Sequence, residues 1–411
     1  MDFWRGQAVL RYENRMETVE VRVFVDHDFD LKIGLPNDLG LEALFLIQQQ
    51  DITVEIPESG PPIPVFLSHF SSSVSEGEQV VFTPKRTPLW RSGDVPLRRG
   101  TSALLNFTGF DVGPPTRNRM LLSACGWLLT VTPVHETLVC FPKLIAGEEH
   151  VVTHALEFER ENGTLFSREE MLLFLENLGQ FFSFCHGGWV GISLSVGQDE
   201  NGVAALEEWG HGRLGPPSNP DGWLDRHHLE CMVELYPLYM QKVTDEDWAD
   251  AFGHVVYWLQ RSEVENAGPD GGIILLQAAL ERFAWHLLVR DGGAISGQGF
   301  EKLTAADQIR LMISHLKLPR QVPTGLKDLA KYALANGLDA PEAITRVRNR
   351  VVHPPKLTGK QEKLHYYEAY KLGRWYAELT VLASCGYNSL YRNSTNDGSW
   401  VGQVEQVPWT R

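Results

Sequence analysis

The segment ITRVRNRVVHPP, residues 344–355, carries the side chains with the clearest capacity for chemistry in this chain. It places Arg348, Asn349 and His353 near the end of an apolar-periodic stretch and stops at two prolines. A histidine titrates near neutral pH and can move a proton, while an arginine can stabilise negative charge on phosphoryl oxygens. These residue types suit cleavage of RNA, because the 2′-hydroxyl of RNA supplies its own nucleophile and no metal ion is required.

The same segment predicts a helix that ends where the motif ends. Pro341 suits the first turn of a helix, and Asp339 precedes it as a candidate N-cap. Pro354 disfavours the α conformation at His353, so the helix should end there. Because residues four apart share one face of a helix, Asn349 and His353 should project to the same side.

Positive charge is concentrated around this motif although the chain as a whole is acidic. The formal net charge of −15 over 411 residues argues against non-specific nucleic-acid binding by the whole surface. Between residues 346 and 374 the only acids are Glu362 and Glu368. The cations of that span are Arg346, Arg348, Arg350, Lys356, Lys360, Lys363, Lys371 and Arg374. We expect three of them to bind RNA beside the motif: Arg346, Arg350 and Lys356.

The order Arg-Asn-x-x-x-His resembles the Arg-polar-x-x-x-His signature of HEPN domains, with Arg348, Asn349 and His353 at the defining positions. HEPN domains are helical bundles whose motif lies near the end of a late helix, and residues 225–390 look similar in layout. The pair LLQAALERFAW and RVRNRVVHPP is most similar to the ApeA-type branch of bacterial anti-phage, abortive-infection proteins. Members of that branch also carry a β-rich N-terminal region.

The resemblance implies a metal-independent endoribonuclease that cleaves RNA by 2′-OH transesterification and leaves a 2′,3′-cyclic phosphate and a 5′-hydroxyl. It implies Arg348, Asn349 and His353 as catalytic residues, with no cofactor and no metal. The implied partners are RNA, with tRNA among the candidates, and a second copy of the chain in a homodimer or dimer of dimers. A phage-derived trigger would be sensed by the N-terminal half. Some HEPN toxins carry a modified tyrosine two residues after the histidine; Pro355 stands there, so that mode of regulation is not expected.

Other interpretations of the motif stay open at this level. The helical domain could bind RNA or a nucleotide without cleaving it, or its basic helix could dock an acidic partner protein. In a purely structural interpretation, Arg348 forms a salt bridge and His353 is only a helix C-cap.

Alternation of apolar and polar residues predicts strands in the N-terminal part, as in METVEVRVFV, DITVEIP and QVVFTP. Proline-rich connections separate these runs. We therefore predict a β-rich N-terminal domain over residues 1–165, a sandwich or an open barrel. Residues 166–222 should extend it with a helix, capped by Ser167 and Glu170, and a hairpin.

From residue 223 the periodicity becomes helical. The stretch GGIILLQAALERFAWHLLV predicts a central buried helix, in which Glu281 is a candidate partner for Arg348. We predict an all-α bundle, of the HEPN type by the resemblance, over residues 223–393, and a C-terminal tail over 394–411. The predicted fold class is α+β multidomain.

Composition indicates the compartment and argues against two classes of site. The five cysteines are scattered and form no CxxC pair, which favours a reducing cytoplasm over a disulfide framework. No stretch approaches the ~20 uninterrupted apolar residues of a membrane helix, so no membrane partner is expected. His227 or His228 lies within ligand spacing of Cys231, but no second ligand pair follows, so we predict no zinc site.

Overall fold

The computed structural model shows a β-rich N-terminal part followed by a helical C-terminal region, which confirms the predicted α+β layout. It describes residues 2–12, 15–25, 31–36, 51–57, 62–73, 77–85, 89–90, 95–108, 119–134, 142–208, 213–216, 222–353, 365–396, 400 and 402–410.

The first six strands close into a barrel in the order β1-β2-β3-β6-β5-β4. They are β1 Asp2–Tyr12, β2 Arg15–Val25, β3 Leu31–Pro36, β4 Ile52–Glu55, β5 Ile63–Ser73 and β6 Gly77–Pro84. All neighbours are antiparallel, and β1 pairs with both β2 and β4. The β prediction for this part is confirmed, but the barrel is closed, because strand β1 also pairs with β4 about 40 residues further along the chain.

Alternate residues of these strands point into the barrel, as a period of two requires. Leu10, Val21, Ile33 and Val54 are fully buried there. These side chains form a core separate from the one that holds the remainder of the described chain.

A second sheet has seven strands in the order β7-β13-β12-β8-β11-β10-β9. They are β7 Leu89–Trp90, β8 Arg99–Leu105, β9 Met120–Ala124, β10 Trp127–Pro133, β11 Val152–Arg160, β12 Gly191–Gln198 and β13 Ala204–Glu208. Strand β8 pairs with β11 on one side and with β12 on the other. The sheet therefore takes strands from both sides of residue 165, where the sequence placed a boundary.

Helix α1, Arg168–His186, packs beside this sheet and confirms the predicted caps. The Ser167 hydroxyl accepts the Glu170 N–H at 3.2 Å, and the Glu170 carboxylate accepts the Ser167 N–H at 2.8 Å. The helix ends at Gly187, whose φ of 90° lies in the left-handed region that favours glycine. Phe174 of α1 stacks on Trp127 of β10 with ring centroids 4.3 Å apart, which fixes the helix to the sheet.

The C-terminal region is built from helices packed around one central helix. They are α2 Leu229–Thr244, α3 Ala249–Arg261, α4 Val264–Trp285, α5 Gly297–Glu301, α6 Ala305–His315, α7 Lys327–Asn336, α8 Ala340–Val352 and α9 Tyr366–Ser384. Helix α4 continues as a π-helical segment, His286–Asp291. It contacts α3, α6, α8 and α9, which confirms the predicted central helix.

Within the described residues one stretch, Gly268–Asp291, is long and apolar enough to cross a membrane by length and composition alone. Most of it is buried inside the protein. Buried core helices have these same properties, and α4 packs against neighbouring helices.

The second sheet, α1 and the helices share one hydrophobic core. Gln260 of α3 donates to the Ser183 carbonyl of α1 at 3.0 Å, and Phe181 of α1 packs edge-on against Tyr236 of α2. The tail joins the same core through a two-stranded sheet of β14, Leu390–Tyr391, and β15, Glu405–Gln406. Val407, after β15, is fully buried.

Candidate active site at the end of helix α8

Helix α8 starts where the sequence predicts. Pro341 lies in its first turn, and the Asp339 carboxylate accepts the Glu342 N–H at 3.1 Å. Arg310 of α6 donates to both Asp339 oxygens, at 2.7 and 3.0 Å. Burial by itself would raise the pKa of Asp339, but the hydrogen bonds from Arg310 and the Glu342 N–H lower it further than burial raises it. An ion-pair cluster thus fixes the N-terminus of the helix.

The other end of α8 carries the motif. Ile344 and Val347 are buried and hold the helix against the core. The helix runs to Val352, and His353 is its C-cap, with its N–H donated to the Asn349 carbonyl at 2.8 Å. The predicted helix end is therefore confirmed.

The three motif side chains lie in different surroundings. Asn349 and His353 are exposed, and Arg348 is half-buried. Arg348 Nη1 donates to Asn349 Oδ1 at 3.2 Å, while its Nε is buried with no hydrogen-bond partner in the described structure. No carboxylate among the described residues pairs with Arg348; Glu362, in the segment after the motif, lies outside those residues.

The candidate pairing of Arg348 with Glu281 does not form. Glu281 is half-buried on α4 and accepts a hydrogen bond from Gln277, one turn earlier on the same helix, at 2.6 Å. A local amide satisfies this carboxylate, so it does not require a cation from α8.

The basic region around the motif is smaller than the sequence suggested. Arg374 is buried, where it donates to Glu378 at 3.1 Å, to the Tyr370 hydroxyl at 3.1 Å and to the Gly187 carbonyl. It is a core cation and no part of an RNA-binding surface. The sequence did not indicate that Arg374 is buried, because the Gly187 carbonyl at the end of α1 lies far from Arg374 along the chain.

The three predicted RNA-binding residues have separate outcomes. Arg346 and Arg350 are half-buried on α8, the same helix as the motif. Lys356 lies outside the described residues. Arg346 is seven positions before His353, so the two share a helix face.

Two aromatic residues near Arg346 escaped the sequence analysis. Tyr332 of α7 lies under Arg346, with the guanidinium carbon 6.0 Å from the ring centroid. The ring of His365, at the start of α9, lies 6.0 Å from the Tyr332 ring. Nothing in the spacing of the chain relates these residues to the motif, because α7, α8 and α9 meet only in the folded protein. They add stacking surface at the far end of the motif face.

Cysteine and histidine residues elsewhere form no metal centre in the described part of the chain, where no group of three or more possible ligands lies close together. Cys125, Cys185, Cys231 and Cys385 are free thiols, and Cys140 lies outside the described residues. The His228 ring contacts the Glu230 carboxylate at 2.8 Å and the Gly402 carbonyl at 3.2 Å. These contacts tie the tail to the start of α2.

Comparisons with known proteins match two segments of the chain. Residues 96–220 match the family model of the YopA central domain, and residues 245–406 match that of the YopA C-terminal domain. The second match contains the α8 motif, and the barrel lies outside both. No solved structure matches the chain.

A relative in Bacillus subtilis (strain 168) is named as the SPbeta prophage-derived uncharacterized protein YopA. It is 24% identical over 277 residues, which are 66% of this chain and 60% of that protein. The chain therefore spans less than two thirds of the length of this relative.

Proposed function

We propose that this protein is a metal-independent endoribonuclease of the HEPN type, with Arg348, Asn349 and His353 as its active site. The observation that carries the proposal is the state of Arg348. Its guanidinium is half-buried, bonded to Asn349 and without a carboxylate partner in the described part of the chain, on the same helix as the exposed imidazole of His353. A guanidinium in that state is suited to bind a phosphate.

Two other arginines of the helical region, Arg310 and Arg374, are neutralised by carboxylates. Arg310 contacts Asp307, Asp339 and Glu342, and Arg374 pairs with Glu378. Such a partner offsets the cost of burying a cation. Within the described residues Arg348 has none, which supports a role toward an anionic ligand.

In the proposed reaction His353 moves a proton, Arg348 stabilises charge on the phosphoryl oxygens, and Asn349 orients the guanidinium of Arg348. Transesterification needs a base for the 2′-hydroxyl and an acid for the leaving 5′-oxygen, and one His353 supplies a single protonatable group. A two-fold dimer brings two copies of a helix end together. We therefore propose a homodimer, or a dimer of dimers, with both His353 rings on one groove. Val352, which is 40% exposed beside His353, provides apolar contact area for it.

The proposed setting rests on the resemblance of the motif to anti-phage HEPN proteins. The proposed role is that of a cytoplasmic abortive-infection effector that cuts RNA, with tRNA among the candidate substrates. The N-terminal half of the protein would sense a phage-derived trigger. The name of the Bacillus subtilis relative records a prophage origin for that protein and no activity.

The test is incubation of the purified full chain with end-labelled RNA in excess EDTA. We expect cleavage, with products that carry a 2′,3′-cyclic phosphate and a 5′-hydroxyl. Activity that disappears in EDTA and returns with one divalent ion contradicts metal independence. RNA or nucleotide binding without cleavage supports the alternative, a non-catalytic binding module. Neither binding nor cleavage favours a regulatory interaction protein.

A further inference from the structure

A cavity of about 700 Å³ lies between the second sheet and the helical region, and none of the α8 motif residues lines it. Its walls come from α1, from strands β12 and β13, and from the first turns of α3. Ligand pockets typically occupy about 300–1,000 Å³. The cavity joins the two segments matched by the central-domain and C-terminal-domain models, so a ligand inside it would contact both.

Two glycines in the middle of helices line this cavity: Gly179 of α1 and Gly253 of α3. A glycine inside a helix lowers stability relative to alanine. A Cβ at Gly179 would meet only Ile192 Cδ1 at 4.0 Å, and one at Gly253 only the Gln180 side chain at 3.8 Å. Both distances are ordinary contacts, so packing does not require glycine at either position. The absence of a side chain at these two positions instead keeps the cavity open.

An aromatic corner forms one side of the cavity. The rings of Trp189 and Tyr257 have centroids 5.9 Å apart and planes inclined at 56°. The Arg213 guanidinium lies over both, 4.3 Å from the Tyr257 centroid and 5.2 Å from the Trp189 centroid. A planar group bearing N–H donors therefore already packs on this corner at the rim of the cavity.

Three carboxylates line the cavity beside one guanidinium, that of Arg213. Glu208 is half-buried, and burial raises its pKa although the charge of Arg168 acts in the opposite direction. Glu176 and Asp250 add two carboxylates, the second of which is engaged with Arg282 and His254. Such a lining favours a neutral ligand that donates hydrogen bonds and disfavours phosphate groups inside the cavity.

Two polar atoms of the wall have no partner in the described structure. They are the side-chain oxygen of Gln180 and the indole Nε1 of Trp189. A buried polar group without a partner lowers stability unless water or a ligand satisfies it.

We propose that the cavity binds a guanine base, as a nucleoside or as the base of a larger ligand. The N1–H and 2-amino groups of guanine form a guanidine-type edge, with the same donor pattern as the arginine side chain that a carboxylate accepts in a bidentate manner. In this site Glu208 accepts from that edge, and the base takes the place of the Arg213 guanidinium on the Trp189–Tyr257 corner. The proposal is independent of the ribonuclease proposal, because it uses different residues.

Titration calorimetry of the full chain with guanosine tests the proposal. We expect saturable binding at one site per chain. Inosine, which lacks the 2-amino group, and adenosine, which lacks the whole edge, should each bind about tenfold or more weakly. No binding of guanosine, or equal binding of the three nucleosides, overturns the proposal.

Variants locate the site. Glu208→Gln should weaken guanosine binding about tenfold or more, and Glu200→Gln, in the exposed turn of the same hairpin, should leave it unchanged. The double variant Gly179→Ala, Gly253→Ala should also weaken binding, while its melting temperature rises because both helices gain alanine. This second variant keeps the test valid if Glu208→Gln fails to fold. Binding that survives both changes lies elsewhere and overturns the assignment.

Discussion

Arg348 and His353 are five positions apart on one helix, yet their surroundings differ. Arg348 is half-buried and touches Asn349, whereas His353 is exposed at the helix end. The anchors of α8 are other side chains, Ile344 and Val347, which are buried. Replacing either motif residue therefore leaves the packing of the helix in place, and a loss of activity can be separated from a loss of folding.

The first prediction concerns His353→Ala. Cleavage should fall about 100-fold or more, since general acid–base catalysis contributes roughly 10²–10⁴ in rate. The melting temperature should stay unchanged because the side chain is exposed. The matched control is His315→Ala, which removes another exposed histidine from the last turn of a helix. Equal activity of the two variants would exclude His353 from the chemistry.

The second prediction compares the other two motif residues. Arg348→Ala should abolish cleavage, because Arg348 is the group proposed to stabilise the phosphoryl charge. Asn349→Ala should cost less, about 10- to 150-fold, since a hydrogen bond from a charged donor such as Arg348 is worth ~1.5–3 kcal/mol. Single-turnover rates with excess enzyme measure both. Arg290→Ala, which breaks an exposed ion pair with Asp247, is the control and should retain full activity. A larger loss for Asn349→Ala than for Arg348→Ala would reverse the proposed roles.

The third prediction uses His154 and His186, both buried in the shared-core part of the fold. Burial lowers the pKa of each to about 3, and the Arg374 charge adds to the effect at His186. Below pH 6.5 the unfolded chain takes up protons that the native state does not, so stability falls as the pH falls. Each histidine should remove about 2 kcal/mol between pH 7 and pH 5.

Denaturant unfolding at pH 7 and pH 5 checks this prediction. His186→Gln keeps a hydrogen-bonding group beside the Thr108 hydroxyl, which lies 3.1 Å from His186 Nδ1, but cannot titrate. Its loss of stability between the two pH values should be smaller than that of the wild type by about 2 kcal/mol. Identical pH dependence in both proteins would show that His186 is protonated in the native state.

At the scale of elements, the two ends of α8 are held by different means. A carboxylate cap and a bidentate arginine fix the N-terminus, through Asp339 and Arg310. At the C-terminus, the described cap contact is the backbone hydrogen bond from the His353 N–H to the Asn349 carbonyl. Stability is thus concentrated at the end of the helix remote from the motif.

The fourth prediction follows from this division. Asp339→Ala should destabilise the protein by about 2–3 kcal/mol, because it removes both an N-cap and a charge-assisted hydrogen-bond partner. RNA cleavage measured well below the melting temperature should persist, since the motif lies at the other end of the helix. Asp247→Ala, the loss of an exposed carboxylate paired with Arg290, should change stability by less than about 1 kcal/mol. Equal destabilisation of the two variants would mean that the cluster at Asp339 does not hold the helix.

At the scale of the whole molecule, the important feature is the presence of two separate cores. The barrel buries its own side chains, while the second sheet, α1 and the helices bury theirs together. A cut before residue 223 would remove α1 and expose the apolar faces it covers, including those around Tyr236 and Tyr239. A cut between the barrel and the second sheet would leave the shared core whole.

The fifth prediction compares two fragments. Residues 95–411, which lose the short edge strand β7 as well as the barrel, should fold cooperatively. Residues 223–411 should aggregate or remain molten, because part of their core surface is uncovered. Circular dichroism melts and gel filtration distinguish these results. If the barrel restrains the proposed nuclease, the 95–411 fragment should also cleave RNA without a trigger. A stable, cooperatively folding 223–411 fragment would show that the helical region is independent of α1 and the second sheet.

The sequence alone determined the features that depend on neighbours along the chain. The Ser167–Glu170 capping box, the start of α8 at Pro341 and its end at His353 follow from local backbone preferences and from hydrogen bonds within one turn. The strands of the barrel follow from the alternation of apolar residues, and the central helix α4 from an apolar run.

Only the tertiary structure showed which segment covers each apolar face and which group pairs with each charged side chain. It alone showed that the barrel closes through β1 and β4, that Arg374 is a buried structural cation, that Glu281 does not pair with Arg348, and that Tyr332 lies under Arg346. Periodicity states which side of an element is apolar but not which distant segment will meet it. The closure of the barrel, the contact of Arg374 with the Gly187 carbonyl and the walls of the cavity between α1 and α3 join residues tens to hundreds of positions apart.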